Sequence, residues 1–494
     1  MRALLVLCCI PISLLAQGAS PYLPIGHWAT PYVELLIARG RIPDPTPLTR
    51  PFKTADVVRA LSEADTLQLS AGERRMVRSI IADLTIKERG PWGRVDVAAG
   101  VAGANYSRRD PLRADSTGHF TGSGELNLAL RFGSVVAVTH PVFDTRLKYD
   151  PDWYGKQDRA IAGRAAEAYI AGQWKYAELF FGNLDRNWGP SAVQGLLLSS
   201  NPYSLTHFGL ALGTTGVQLQ AFVTQLDSKT DSAGNAVNRY MVQHRLWVRP
   251  PGNWAFALWE GSVTSGVGRQ LEPWFLNIMT LGYVEQLNSG TNANNFLGFD
   301  VQHRGAVTLY AQFLLDDIQI DKKTAADQKP ASYGLTVGGQ GALGPGAWTL
   351  FYTQVANLTY RNEDSTQVPL WHELGIGRNY SDYDQLTARF STVTVPGFIV
   401  APEVTLLRQG EGDPRLPHPT VGQYPATATL FQGIVERTIR LAVSGSWQRG
   451  PIGLQGDAGV HLVHNVSHVE GASATRFVGS LGLSYRLHWE SGLP

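Results

Sequence analysis

The sequence predicts an all-β transmembrane barrel of about 18 antiparallel strands, preceded by a small N-terminal α-helical periplasmic segment. The first observation behind this prediction is a period of two, because apolar and polar side chains alternate along segments of roughly 10 to 13 residues. The second is that tight turns and long polar connections follow one another along the chain. The third is that no apolar run beyond residue 19 approaches the roughly 18 residues that a membrane helix needs.

Residues 1–19 have the features of a secretory signal peptide. Arg2 supplies the positive end, residues 3–15 form the apolar core, and small residues at 16–19 suit cleavage. The apolar core is too short to cross a bilayer, so we interpret the segment as an export signal rather than an anchor. The chain has 2 cysteines, Cys8 and Cys9, both inside this core. We therefore expect no disulfide in the mature chain.

Residues 20–90 are predicted to form a helical segment. Apolar residues at 32–37 follow a helical period that Gly40 ends, and Thr54 is a candidate N-cap for a second helix. Ser70 and Glu73 have the spacing of a capping box at the start of a third helix. Three short helices bury too little apolar surface to be stable alone, so we expect them to pack against the rest of the chain.

Part of this segment resembles one S-layer homology unit. The resemblance rests on His27-Trp28-Ala29, Arg39-Gly40 and Leu48-Thr49-Arg50. It implies contact with peptidoglycan, but such modules usually occur in several copies and only one is present. The alternative, which we favour, is a helical bundle that closes the periplasmic end of a barrel. His27 and Trp28 are then capping and core residues rather than ligands.

Residues 91–494 are predicted to form the barrel. Apolar and polar residues alternate clearly at 217–224, 239–249 and 307–316. A soluble sandwich also has one apolar face per strand. We favour the membrane barrel because the predicted strands exceed the usual length and charged residues occur in their middle. A barrel this wide must either conduct or be plugged, by the N-terminal helices from below or by long loops from above. The last strand is expected to end near His488-Trp489.

The most distinctive stretch is residues 181–200. Gly189-Pro190 stops any strand ladder, because proline has no N–H group and restricts the residue before it. By local physics alone this could be a rigid turn in which Asp185 pairs with Arg186. The stretch also resembles the signature of the capsule assembly Wzi-type outer-membrane proteins. The matching residues are Gly182, Arg186, Trp188, Gly189, Pro190, Gly195, Leu197, Leu198, Ser199 and Asn201.

This resemblance implies an outer-membrane barrel of about this size with a helical element at its periplasmic end. It also implies a non-catalytic, lectin-like function that attaches capsular or other surface polysaccharide, including exopolysaccharide, to the cell surface. The expected partners are surface polysaccharide and outer-membrane lipid. Asp185, Arg186 and Trp188 become candidate polysaccharide-binding residues, although the motif could equally hold the barrel wall.

Further candidate binding residues lie in polar, aromatic segments between strands. They are Asp152, Trp153, Trp371 and Tyr380. Carboxylates accept hydrogen bonds from sugar hydroxyls, and aromatic faces cover the apolar face of a pyranose ring. The alternative for each is an ordinary hydrated loop.

The sequence indicates no cofactor, metal site or catalytic centre. The net charge of +1 gives no reason to expect a nucleic-acid partner. Nucleophile elbows, zinc-binding helices and phosphate loops are not found in a convincing context. Two alternative functions stay open. One is a porin or substrate-specific channel in which Arg239, Arg245 and Arg249 steer anionic solutes. The other is a hydrolase built on a carboxylate pair such as Asp316 and Asp317.

Overall fold

The computed structural model describes residues 18–105, 112, 118–200, 203–289, 292–319, 323–395 and 397–494. Most of the predicted signal peptide, residues 1–17, lies outside the described residues, as does Asn201 of the motif.

The predicted barrel is confirmed: 18 long strands form one closed antiparallel sheet in the described part of the chain. Each strand pairs with its sequence neighbour, and β18 pairs with β1 from Gly492 opposite Trp92 to Ser480 opposite Ala104, which closes the ring. The strands are β1 Trp92–Ala104, β2 His119–Phe132, β3 Val135–Asp144, β4 Ala162–Gln173, β5 Ala177–Asn183, β6 Thr206–Gly213, β7 Val217–Gln225, β8 Ala236–Val248, β9 Trp254–Val267, β10 Ala293–Arg304, β11 Val307–Asp317, β12 Ser332–Leu343, β13 Gly346–Val355, β14 Tyr383–Val395, β15 Phe398–Gln409, β16 Glu436–Arg449, β17 Ile452–His464 and β18 Ser473–Gly492.

The distribution of apolar and polar side chains on these strands is the reverse of that in a soluble protein. Ile170, Leu258 and Leu481 project outward and are 58%, 60% and 61% exposed. Polar residues such as Gln312 and Thr336 project inward and are buried. Because successive side chains of a strand face opposite sides, the same alternation serves lipid outside and a polar lumen inside. The soluble-sandwich alternative is therefore wrong.

The two rims of the barrel differ in the length of their connections. Short turns join strands such as β2 to β3 and β16 to β17, where Gly133 and Gly450 adopt positive φ angles of 58° and 53°. Long connections at the other rim include residues 184–205, 268–292, 356–382 and 410–435. In outer-membrane barrels the long loops are extracellular, so we call this rim the extracellular rim and the other the periplasmic rim.

The last strand extends further than the sequence indicated. It was expected to end near His488-Trp489, but β18 continues to Gly492. The reason is pairing with β1, whose first residue, Trp92, lies opposite Gly492. Backbone hydrogen bonds to the partner strand, rather than the last aromatic residue, set the end of this strand.

The N-terminal segment contains the three expected helices: α1 Thr30–Ala38, α2 Thr54–Ser62 and α3 Ala71–Leu84. The capping box of Ser70 and Glu73 has both of its hydrogen bonds. Thr54 begins α2 instead of capping it, since Lys53 takes the N-cap position. Two further short helices, α4 Pro273–Leu276 and α5 Gly282–Ser289, lie in an extracellular loop. Among the described residues, no helix combines the length and apolarity needed to cross a bilayer.

The N-terminal segment lies against the periplasmic rim. The Ala19 amide donates to the Gly133 carbonyl at 2.9 Å, and the Tyr32 hydroxyl donates to the Gly397 carbonyl at 2.6 Å. Both acceptors belong to short turns of the barrel. The segment is also tied to the barrel through Asp83 of α3. Its carboxylate accepts from Arg94 at 2.7 Å, from Arg486 at 3.4 Å and from the Trp28 indole at 3.0 Å.

Neutralising Asp83 is expected to loosen this attachment. Burial raises the pKa of Asp83, but the guanidinium groups of Arg94 and Arg486 outweigh burial and hold the pKa below its ordinary value. The carboxylate therefore stabilises docking at neutral pH, and this contribution is lost as the pH falls through the lowered pKa. We expect Asp83→Asn to speed hydrogen exchange in α3 at pH 7, measured by mass spectrometry.

The control is Asp56→Asn, because Asp56 pairs with Arg59 inside α2 and not with the barrel. The difference between wild type and Asp83→Asn should vanish at a pH below the lowered pKa, where the wild-type carboxyl is also neutral. Equal exchange in α3 of both proteins at pH 7 would contradict the proposed role of Asp83.

Candidate functional site

The loop that carries the motif folds into the lumen. We call residues 184–205 the internal loop. Asn187–Trp188 pairs antiparallel with Thr49–Arg50 of the N-terminal segment, and the Gly189 amide donates to the Leu48 carbonyl at 2.9 Å. The loop starts at the extracellular rim, whereas the N-terminal segment packs on the periplasmic rim. The loop therefore runs down the inside of the barrel, and the two segments together form a plug.

Trp188 anchors the plug against the barrel wall. Its side chain is 1% exposed and belongs to an apolar cluster with Leu196, Leu197 and Tyr310. Wall residue Gln312 accepts from the Leu196 amide at 2.8 Å and donates to the Trp188 carbonyl at 3.0 Å. The loop backbone thereby makes hydrogen bonds to the wall in place of those that it would make to water at the surface.

A glycine in the wall lets the loop approach closely. A Cβ atom at Gly261 would lie 2.8 Å from a methyl group of Leu197, which is closer than real contacts allow. Glycine in a strand interior often marks such a place, where another part of the chain packs against the backbone.

Asp185 and Arg186 have different partners, so the paired turn considered from sequence is wrong. Arg186 donates from Nε to His207 Nε2 at 2.7 Å, and its guanidinium lies 4.5 Å from the ring centres of Phe180 and Phe222. Asp185 accepts from the Ser204 hydroxyl at 2.8 Å. Burial raises the pKa of Asp185 to about 6. Neighbouring residues in extended chain face opposite sides, which explains why the two side chains separate.

A second loop, residues 356–382, covers the internal loop from above. The Tyr360 hydroxyl donates to the Leu196 carbonyl at 2.5 Å, and Arg378 donates to the Gln194 carbonyl at 3.1 Å. Tyr380 in this loop is partly buried against the plug, with the Arg415 guanidinium 5.3 Å from its ring centre.

Two of the three arginines expected to steer solutes are buried by loops inside the barrel. Arg239 is 0% exposed and donates to the Val368 carbonyl of the second loop at 2.6 Å. Arg245 is 1% exposed, pairs with Asp300 at 2.8 Å and donates to the Leu48 carbonyl of the plug. Neither side chain lines an open path, which weakens the sequence-based argument for an anion channel.

At the extracellular rim, three loops bring aromatic rings together in what we call the aromatic patch. Its members are Trp153, Tyr154, Tyr203, Trp371 and His372. The Tyr154 ring centre lies 4.6 Å from that of Trp371 and 4.9 Å from that of His372, to which it is nearly parallel. Trp153 contacts both Tyr154 and Tyr203, at 4.7 Å and 5.3 Å. Tyr154 is 44% exposed, whereas Trp153 is 8% exposed.

The patch unites two candidates that the sequence placed far apart, Asp152-Trp153 and Trp371. Tyr154 and Tyr203 were missed by sequence reasoning, whereas His372 belongs to the candidate segment around Trp371. Tyr154 follows a candidate aromatic residue directly, and this was the available signal. Only the fold shows that Tyr154 and His372 stack and that Tyr203 packs beside them.

The patch is held rigidly by local geometry. His372 and Glu373 form the tip of a two-residue hairpin with φ angles of 48° and 63°, a left-handed conformation uncommon for residues other than glycine. The His372 amide donates to Asp227 at 2.9 Å. Below the patch, Asp150 accepts from the Tyr203 hydroxyl at 2.6 Å and from the Asp152 amide at 3.0 Å. Non-glycine residues in this conformation persist only where surrounding contacts hold them, often at binding sites.

Beside the plug, the lumen contains a cavity of about 1070 Å³ that is partly open to solvent. We call it the lumen cavity. It extends from His27 and Trp28 of the N-terminal segment to His119 and Tyr149 near the extracellular rim. Charged residues that line it include Glu125, Glu167, Asp185, Asp457, Arg146, Arg164 and Arg486. The part of the chain that the structure describes contains no group of three or more potential metal-ligating side chains.

A closed antiparallel barrel with an apolar exterior and long loops at one rim defines an outer-membrane β-barrel protein, located in the outer membrane. Residues 143–339 match the model of the family described as Capsule assembly protein Wzi. The resemblance predicted from the motif is thereby confirmed for this part of the chain, which contains the internal loop and most of the aromatic patch.

Among solved structures, the chain is similar to Wzi of Escherichia coli, described as an outer-membrane protein involved in group 1 capsule assembly and a carbohydrate-binding β-barrel. The TM-score is 0.62 at 13% identity, over 92% of this chain and 96% of that chain. Further similar structures are OprD of Pseudomonas aeruginosa and OccAB3 of Acinetobacter baumannii. OprD has a TM-score of 0.45 at 12% identity, over 80% of this chain and 95% of its own. OccAB3 has a TM-score of 0.46 at 9% identity, over 81% and 99%. A comparison with curated proteins finds no match.

Proposed function

We propose that this protein is a non-catalytic lectin of the outer membrane that binds capsular or other surface polysaccharide and attaches it to the cell surface. The observation that carries the proposal is the aromatic patch, a rigid and partly exposed set of rings at the extracellular rim. The family match over residues 143–339 supports it, because the patch residues 153, 154 and 203 lie in the matched segment.

The chemistry of the patch suits a sugar chain. Tyr154 and His372 stack on each other, and the exposed parts of their rings offer apolar surface to a pyranose. Asp152 and Glu373 supply acceptors beside the rings, and Lys229, which pairs with Glu373, supplies donors. A repeating polymer can engage such a surface through several equivalent units, so modest affinity per unit still gives firm retention.

The motif residues play a supporting part in this proposal. Arg186 and Trp188 are buried inside the barrel, so we assign them to holding the plug, including the internal loop that carries Tyr203. Asp185 lines the lumen cavity. The carboxylates considered for hydrolysis have structural partners, since Asp316 accepts from the Tyr360 amide at 2.7 Å and Asp317 pairs with Lys329 at 2.8 Å.

We propose the following organisation of the chain. Residues 1–19 are the export signal, residues 20–90 form the periplasmic helical segment, and residues 91–494 form the barrel. The outward apolar side chains contact outer-membrane lipid. We interpret the helical segment as a bundle at the end of the barrel and not as a peptidoglycan-binding unit. The reason is that Trp28 donates to Asp83 and His27 accepts from the Ala29 amide, so both side chains have partners inside the segment.

Removing the exposed rings should weaken polysaccharide binding. We expect Tyr154→Ala and His372→Ala each to lower affinity for the polysaccharide of the producing cells by roughly tenfold, because each removes stacking area at the centre of the patch. Binding is measured with the purified protein and sheared polysaccharide on a biosensor surface. The matched control is Tyr176→Ala, which removes another exposed tyrosine ring, 55% exposed, at the periplasmic rim.

A cell-based measurement complements this one. In a deletion strain, total polysaccharide should stay constant while the cell-bound fraction moves into the medium. The wild-type gene and Tyr176→Ala should restore the bound fraction, and Tyr154→Ala should not. Unchanged partition in the deletion strain, or equal affinity of all variants, would refute attachment through the patch.

A further inference from the structure

The lumen cavity begins directly beneath the aromatic patch. Arg146 lines the cavity and donates to Asp150 at 2.8 Å, and the same carboxylate accepts from the hydroxyl of patch residue Tyr203. Tyr149, which also lines the cavity, is stacked on His119 with ring centres 3.4 Å apart. Polar and aromatic groups thus continue from the patch into the barrel.

Glu167 of β4 is a buried acceptor that faces this cavity. It is 5% exposed and lines the cavity, and its carboxyl group makes no hydrogen bond or ion pair with any residue that the structure describes. Asp185 of the internal loop lines the same cavity from the plug side. A buried carboxyl group without protein hydrogen bonds is unfavourable, unless water or a ligand supplies the donors.

The other lining groups indicate what such a ligand is. Hydroxyl and amide side chains are frequent, and they include Ser123, Asn127, Gln455, Ser480 and Ser484. Arginines 164 and 486 also line the cavity, which disfavours a cation. A volume of about 1070 Å³ is ample for a ligand larger than one sugar ring. A neutral, hydroxyl-rich oligosaccharide can donate to the carboxyl groups and accept from the arginines.

The N-terminal segment lies at the lower end of the cavity. His27 and Trp28 of this segment line that end, and the internal loop fills the adjoining lumen. Because these two parts of the plug lie in the path through the barrel, we expect a polysaccharide to enter the cavity by a chain terminus and not to thread through.

We propose that the lumen cavity is a second glycan site, which takes the terminal segment of a polysaccharide chain with Glu167 and Asp185 as hydrogen-bond acceptors. This inference rests on the proposed function, in which the body of the chain lies on the aromatic patch. The two sites differ in the ligand length that they accept, since the cavity lies inside the barrel and the patch lies on its surface.

The test compares short fragments with intact polymer. Fragments of a few sugar units are prepared by partial acid hydrolysis of polysaccharide from the producing cells, and their binding is measured by calorimetry. Glu167→Gln keeps the shape of the side chain and replaces one carboxyl oxygen, an acceptor, with an amide group that only donates. Ala192→Trp, at an exposed position of the internal loop that lines the cavity, fills the space independently. The control is Glu470→Gln, an exposed carboxylate in the loop between β17 and β18.

We expect one fragment to bind per wild-type protein, with affinity about tenfold lower in Glu167→Gln and in Ala192→Trp and unchanged in Glu470→Gln. Intact polymer should remain bound to both cavity variants, and Tyr154→Ala should reduce polymer binding most. The inference is overturned if fragments bind both cavity variants as they bind wild type, or if wild type binds no fragment. Binding of intact polymer to the wild type then separates two outcomes. If the polymer binds, only the second glycan site is refuted and the proposed function stands. If the polymer does not bind, the second glycan site and the proposed function are both refuted.

Discussion

Replacing Trp188 with alanine is expected to detach the internal loop from the lumen and convert a plugged barrel into a conducting one. Trp188 is 1% exposed, and truncation of a buried tryptophan costs about 3–5 kcal/mol. The backbone of the same residue joins the loop to the N-terminal segment through the pairing of Asn187–Trp188 with Thr49–Arg50, and this junction separates when the truncation displaces the loop. The barrel wall does not depend on this pairing, because its strands are joined to one another all the way round.

Conductance in planar lipid bilayers measures this effect. Wild type should be nearly silent, and Trp188→Ala should give large, stable current steps. The matched control is Trp254→Ala, which removes a 45% exposed tryptophan at the start of β9 and should stay silent. Large steps from wild type would show that the plug does not close the lumen, and silence of Trp188→Ala with an intact barrel would show that other contacts hold the loop.

Replacing Arg245 with methionine is expected to destabilise the protein by about 3–5 kcal/mol, because it leaves the carboxylate of Asp300 buried without its counter-charge. The two side chains are 2.8 Å apart and each is 0% exposed. Arg245 also donates to the Leu48 carbonyl at 2.9 Å and to the Thr49 hydroxyl at 2.8 Å. The substitution therefore also weakens the junction between the plug and the N-terminal segment.

The free energy of unfolding is measured by urea titration in lipid vesicles, followed by tryptophan fluorescence. The double variant Arg245→Met with Asp300→Leu should recover part of the loss, since it leaves no unpaired charge. The control Arg159→Met removes an exposed cation beside Asp158, where a loss below about 1 kcal/mol is expected. A loss in Arg245→Met no larger than in the control would contradict the structural importance of this buried pair.

The sequence alone determined the local features of this protein. Alternation along 217–224 or 307–316 predicted strands that face lipid on one side and a polar lumen on the other, because the side-chain period of a strand is two. Ser70 and Glu73 predicted the start of α3, because a capping box involves only residues three apart. The Wzi-type resemblance was likewise contained in a short run of residues around Arg186 and Trp188.

Only the tertiary structure decided where the distant parts of the chain meet. Nothing local shows that Trp188 pairs beside Thr49, that Arg186 turns to His207 instead of Asp185, or that Tyr154 stacks on His372. Strand β18 likewise ends where β1 begins, not at its last aromatic residue. These contacts depend on strand register and on the path of loops inside a closed lumen. The burial of polar and aromatic groups in the lumen depends on the whole barrel, so it cannot be predicted from residues that are neighbours in sequence.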